Sequence, residues 1–157
     1  SWKADAEQRG ATVEGRIGRK QYWIGSVLLF VAAIVLVLIV AVVSGIGSLS
    51  PADGGSSGAT TLATILILAA SAPLVVKRLQ DRNKSPHYAW LLYGPTIIST
   101  IGDMAGFTGT PTEPNALGYA LALFGAIIGI WFFIELGFLR GTAGPNGYGP
   151  DPLVAQE

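Results

Sequence analysis

Residues 23–44 read WIGSVLLFVAAIVLVLIVAVVS, and this stretch decides the fold. It contains no charged residue. A helix of about 20 apolar residues crosses the hydrocarbon core of a bilayer. The many valines and isoleucines would favour a strand in water. In lipid a lone strand leaves its backbone N–H and C=O groups unpaired, so length decides for a helix. Tyr22 and Trp23 stand at its start, where an aromatic belt meets the headgroups. A basic lead-in precedes it, as in a secretory signal. The apolar run from Trp23 to about Val43 nevertheless exceeds the apolar core of a signal peptide, about 7–15 residues, so a permanent anchor is expected.

Outward from this block the chain repeats the pattern. Half of its 157 residues are hydrophobic, only 13% are charged, and the mean hydropathy is +0.50. Soluble domains carry about 25% charged residues. Further spans are expected at about 59–76, 86–104 and 116–139. Together they make an all-α fold, an integral membrane four-helix bundle over residues 22–140. A polar segment (1–21) precedes it, and a Gly/Pro-rich tail (141–157) follows. Within the first segment, Trp2 to Arg9 favours a helix lying on the membrane surface, with a solvated tail as the alternative.

Local signals shape each span. Pro73 is expected to kink the second or free a carbonyl. Lys77 and Asp81, spaced i,i+4, extend that helix toward Arg82. Ser85-Pro86 reads as an N-cap followed by proline at the first helical position. Gly94-Pro95 is expected to break the third span, leaving it bent and buried among its neighbours. Gly45 to Gly58 and Gly106 to Asn115 are rich in turn formers and read as connecting loops.

Charge placement sets the topology. All ten Lys and Arg residues lie before the first span, between the second and third, or at the end of the fourth. Neither of the other two loops has any; that side carries Asp53, Asp103 and Glu113. Positive charge collects on the cytoplasmic face, so both termini are expected there, in a multi-pass protein of a bacterial inner membrane.

Little in the sequence promises chemistry. With no cysteine, disulfides, iron–sulfur clusters and thiolate sites are excluded. The single histidine, His87, stands near the headgroups. It could serve as an axial ligand to a haem or pigment, but an interfacial histidine bonded to water or lipid is the ordinary case. No catalytic residue, metal site or cofactor site is expected, and nucleic acid is not among the expected partners. Glu135 lies within the fourth span, where a carboxylate is costly unless paired or wetted. It could be a relay for protons or solute, or one half of an ion-pair latch. Gly118, Ala122, Gly125 and Gly129 form a small-residue face suited to close helix packing. Lys20, Lys77 and Lys84 are expected to contact lipid headgroups. The glycines of the tail lack the strand, helix and Gly-Lys-Ser/Thr ending of a phosphate loop, so a compact cap under the bundle is expected instead.

Three segments together carry a family resemblance: Gly15-Arg16-Ile17-Gly18-Arg19-Lys20-Gln21-Tyr22-Trp23, Lys77-Arg78-Leu79-Gln80-Asp81-Arg82-Asn83-Lys84-Ser85 and Gly144-Pro145-Asn146-Gly147-Tyr148-Gly149-Pro150-Asp151-Pro152. They resemble a bacterial inner-membrane family known as domain of unknown function 805. Its members show Gly-Arg-x-x-Arg-x-x-aromatic-Trp, Arg-Arg-Leu-His-Asp and Gly-x-Asn-x-aromatic-Gly-x-Asp-Pro. Here Lys77 replaces an arginine, Gln80 the usual histidine, and Pro86 a glycine. The resemblance implies four spans in a bacterial inner membrane and no assigned activity. Since all three segments fall on the cytoplasmic side, they are expected to pack as an ion-pair cluster: Arg16, Arg19, Arg78 and Arg82 against Asp81, Glu135 and Asp151.

Three functions are then weighed. The first is a non-catalytic accessory subunit or assembly partner of a larger membrane complex, such as a respiratory or photosynthetic one, contacting other membrane-protein subunits and lipids. The second is a small-solute or ion transporter using Glu135 and the broken second and third spans. The third, an enzyme acting on lipid, lacks a nucleophile–base pair.

Overall fold

A computed structural model describes residues 15–44, 58–109 and 113–153. The proposed surface helix at Trp2 to Arg9 and most of the first loop, with Asp53, lie outside the described residues. Among those described there are four α-helices and no strand. They are α1 (Arg19–Ser44), α2 (Gly58–Asp81), α3 (Ala89–Ala105) and α4 (Ala116–Phe132). A 3-10 turn, Pro86–Tyr88, leads into α3, and a π-helical turn, Phe133–Phe138, continues α4. Three of the helical stretches, Arg19–Val43, Thr61–Asp81 and Ala116–Phe138, are long and apolar enough to cross a membrane.

The helix ends follow from local chemistry. Asn83 adopts a left-handed conformation, φ 56°, and stops α2. The amide of Lys84 then reaches back to the Leu79 carbonyl at 2.9 Å, and that of Asn83 to the Gln80 carbonyl at 3.0 Å, a Schellman closure. Ser85 caps the 3-10 turn as the Ser-Pro pair requires, its hydroxyl accepting from the His87 amide. Asn115 caps α4 through its side-chain oxygen, which accepts from the Gly118 amide at 3.0 Å.

Two expectations fail here. Gly94-Pro95 does not break the third span: α3 is one helix from Ala89 to Ala105. Proline in a helix interior forfeits one N–H bond and crowds the preceding turn, but Gly94 offers no side chain to add to that crowding. Nor is α3 buried; only Ala89, Pro95 and Gly102 are. α2 likewise runs unbroken through Pro73. Beside it, the Ser71 hydroxyl donates to the Leu68 carbonyl at 2.9 Å and receives the Tyr93 hydroxyl at 2.9 Å, tying α2 to α3.

Packing runs α1 on α2, α2 on α3 and α3 on α4, with α1 also meeting the π turn. The core is off-centre. It gathers Val75, Val76, Leu79, Ala89, Phe132 and Leu136, near the last turns of α2. Elsewhere the distribution is inverted relative to a water-soluble protein. Val42 and Val43 are 80% exposed, whereas Lys77, Arg78, Asp81 and Glu135 are buried. Apolar faces outside and charges inside mark a membrane protein, whose solvent is lipid.

Candidate functional site

The one densely built region lies where α2 and α4 both end. A helix C-terminus leaves four carbonyls unpaired and carries about half a negative charge. Two such ends side by side repel and expose acceptors. Here they are met by arginines from two segments, the entry to α1 and the end of α2.

Arg78 is fully buried and projects from the last turn of α2. Its Nε donates to the Leu136 carbonyl at 2.8 Å, its Nη2 to the Leu139 carbonyl at 2.6 Å, and its Nη1 to the Asp81 carboxylate. Arg82 donates to the Arg140 carbonyl and Arg19 to the Phe138 carbonyl at 3.3 Å. The Trp23 indole supplies Gly137 at 3.0 Å. Each carbonyl from Leu136 to Arg140 therefore has a donor. These acceptors are free because the helix ends at Phe138: Leu139 N bonds back five residues to Ile134, and no later helical N–H follows to take the last carbonyls.

The carbonyls closing α2 are met from the tail. The Thr142 amide donates to the Asp81 carbonyl at 2.8 Å, and the Asn146 side-chain amide to the Gln80 carbonyl at 2.9 Å. Arg16 threads beneath them. Its Nε and Nη2 lie 3.2 and 3.1 Å from Asp81 Oδ1; Nη1 and Nη2 donate to the Gly144, Gly149 and Thr142 carbonyls at 2.7, 3.1 and 2.6 Å. Arg16 and Asp81 side chains are 1% and 3% exposed, so this pair is desolvated and stands on its hydrogen bonds. Gly141 passes directly over Asp81; a Cβ there would overlap the carboxylate.

Glu135 forms a separate cluster. Its Oε1 accepts from Arg82 Nη2 at 2.9 Å and Nε at 3.0 Å, and lies 3.1 Å from Lys84 Nζ. Lys84 also stands 4.9 Å from the Trp131 ring centre and 5.6 Å from that of Tyr88, a cation–π seat.

The seven expected ionic residues thus divide. Arg16, Arg78 and Asp81 meet at one centre, and Arg82 and Glu135 at another. Arg19 is engaged with a carbonyl. Asp151 meets amides, not an arginine: Leu153 N at 3.0 Å and Gly144 N at 2.8 Å, which hold its carboxyl below the usual carboxylate range. Of the lysines expected at headgroups, Lys20 is exposed. Lys84 is turned onto Glu135, and Lys77 is buried, at 8% exposure, rather than turned out to the headgroups. On the small-residue face, Gly118 packs against the Thr108 carbonyl and Gly125 faces Pro95, whereas Ala122 is exposed and Gly129 meets nothing within 4 Å.

Sequence reasoning missed the π turn and the run of capped carbonyls. The only available signal was Trp23 and three arginines converging on one face. Chemically the region is a lock. Asp81 and Glu135 are neutralised by adjacent cations, and no buried side-chain nitrogen or oxygen among the described residues lacks a partner. No three His, Asp or Glu side chains among the described residues gather as a metal site. His87 is exposed, with Nδ1 2.9 Å from the Ser85 hydroxyl. Asp103 is bonded by the Thr108 hydroxyl.

The uncharacterized protein YiiR of Escherichia coli strain K12 is 29% identical over 139 residues, covering 88% of this chain and 84% of its own length. YiiR of Escherichia coli O157:H7 gives the same figures. No solved structure matches the chain significantly. The family model described as "Protein of unknown function (DUF805)" matches residues 10–150, and the chain belongs to that family.

Proposed function

We propose that this chain is a non-catalytic, four-span protein of the bacterial inner membrane with both termini cytoplasmic, serving as an accessory or assembly subunit of a larger membrane complex. α3 supplies the fourth crossing. Its 17 residues span about 26 Å, and the 3-10 turn before it adds about 6 Å, against a hydrocarbon core of about 30 Å. The arginine-rich centres at the ends of α2 and α4 support the cytoplasmic assignment of that face.

One observation carries the subunit reading. Of the most apolar 18 residues of Arg19–Val43 and of Ala116–Phe138, only 6% are buried within the chain, against 33% for Thr61–Asp81. Beyond the side of each that packs on its neighbour in the chain, these two spans leave apolar surface exposed, while the inner ends are clamped. Ala122 and Gly129 on α4 leave space for a second helix to approach closely. Photo-crosslinkers placed at Ala122 and Gly129 in the native membrane test this. A discrete crosslinked chain that co-purifies in fixed ratio is expected. Lipid adducts alone, with the protein migrating at its own mass in mild detergent, defeat the reading.

The transport alternative draws no support from the geometry. α2 and α3 are continuous, and Glu135 is held by two cations.

A further inference from the structure

A cleft of about 540 Å³ opens beside the clamped helix ends. Its walls come from the first turn of α1, the π turn and the tail. That volume falls in the range of ligand pockets, about 300–1,000 Å³. Arg78 and Asp81 contribute to it but are paired with each other. The remaining charges on its walls are Arg19, Lys20, Arg140 and Asp151. Asp151 is already occupied by the amides of Gly144 and Leu153. None of the three cations forms a salt bridge among the described residues. The first helical bond of α1 is made by Tyr22 to Gly18, so the preceding N–H groups add positive potential to the same wall.

The cleft also has an apolar shoulder. The Trp23 and Phe138 rings meet edge-on at 5.9 Å and remain 36% and 57% exposed. Both belong to helical stretches apolar enough to cross a membrane. Three cations with no carboxylate partner among the described residues, beside exposed rings at the edge of an apolar helix, match a phosphate joined to acyl chains better than a free anion. We infer that this cleft holds the phosphate headgroup of an anionic phospholipid, with Arg19, Lys20 and Arg140 as its ligands and the Trp23–Phe138 shoulder against its chains.

The inference rests on the membrane reading above and not on a partner subunit or on orientation. The test uses the full chain in detergent, with phosphatidylglycerol, phosphatidylcholine and inorganic phosphate as probes and native mass spectrometry as the readout. Each cation near an anionic surface is worth about fivefold in affinity. The wild type is expected to retain phosphatidylglycerol over phosphatidylcholine, and the R19Q/K20Q/R140Q variant to lose that preference by on the order of a hundredfold. The charge-conserving R19K/R140K variant should keep it, and unchanged thermal unfolding of the glutamine variant shows that it is folded. Equal retention of both lipids by the wild type, or an unaltered preference in the folded glutamine variant, overturns the site. Displacement of phosphatidylglycerol by millimolar inorganic phosphate overturns the lipid assignment in favour of a free anion. Flotation of the protein with phosphatidylcholine vesicles is read separately: a chain that floats but shows no lipid preference sinks the cleft alone.

Discussion

Arg78 on α2 and Leu136 in the π turn after α4 are joined by a hydrogen bond of 2.8 Å, from the buried guanidinium to a main-chain carbonyl. The bond ties the ends of two helices whose negative dipole ends would otherwise repel. The guanidinium reaches Leu139 with a second nitrogen and Asp81 with a third. Only a planar fork can serve three acceptors set at these angles.

Arg78→Lys therefore keeps the charge and loses the fork. An ammonium placed there reaches Asp81 or a carbonyl, but not Leu136 and Leu139 together. The expected loss is about 3 kcal/mol, since buried carbonyls are left without donors. Thermal unfolding in detergent reads it as a lowered Tm. A lysine variant as stable as the wild type would show that the carbonyl contacts contribute nothing.

Asp81→Asn removes the charge shared by Arg16 and Arg78 while keeping the size of the side chain. Two buried guanidiniums then face each other without an anion. Breaking a buried pair in this way costs about 3–5 kcal/mol. Arg16→Gln should cost less in the Asp81→Asn background than alone, because the two share one centre. Strictly additive losses in the double-mutant cycle would contradict the contact.

Glu135→Gln separates the latch from the relay. As a latch, the carboxylate holds Arg82 and Lys84. Its neutralisation is expected to cost about 1–3 kcal/mol of stability and to free Lys84 from its seat on Trp131, visible as a change in tryptophan emission. Proteoliposome ion flux should be the same in variant and wild type. A flux present in the wild type and abolished in the variant would restore the relay.

The apolar blocks were legible because their length is written in the residues themselves, and the left-handed stop at Asn83 lies just past a legible helix end. Arg78 with Asp81 is local, three positions apart on one helix. Arg16 with Asp81, 65 positions apart, could be approached only through the argument that both lie on the cytoplasmic face. The carbonyls of Leu136 to Arg140 carry no side-chain signature, so their role was invisible, as was the π turn that ends the helix there. Gly94-Pro95 misled because an interior proline forfeits only one N–H bond, and Gly94 adds no side chain to the crowding, so the helix runs on. Gly141 passed unnoticed among the tail glycines, although it alone lets the chain cross Asp81. Lys77 misled in the other direction: its charge suggested the headgroups, but the folded chain buries it.

Asp151 gives the clamp a pH dependence. The amides of Leu153 and Gly144 bond its ionised form and depress its pKa in the folded chain. A carboxyl bound this way favours the folded tail fully above its unfolded value, about 3.9. That contribution fades as pH falls below about 3.9 and through the lower folded value, because protonation then competes with both hydrogen bonds. The Gly144 amide anchors the same turn whose carbonyl receives Arg16 at 2.7 Å, so acid should loosen the tail before the helices. Protection of the Gly144 and Leu153 amides against hydrogen exchange, relative to their intrinsic rates, is expected to fall as pH drops below about 3.9, ahead of any change in helicity. Asp151→Asn should exchange quickly across the whole range, with no midpoint. If wild type and variant exchange alike at neutral pH, the carboxylate does not hold the tail.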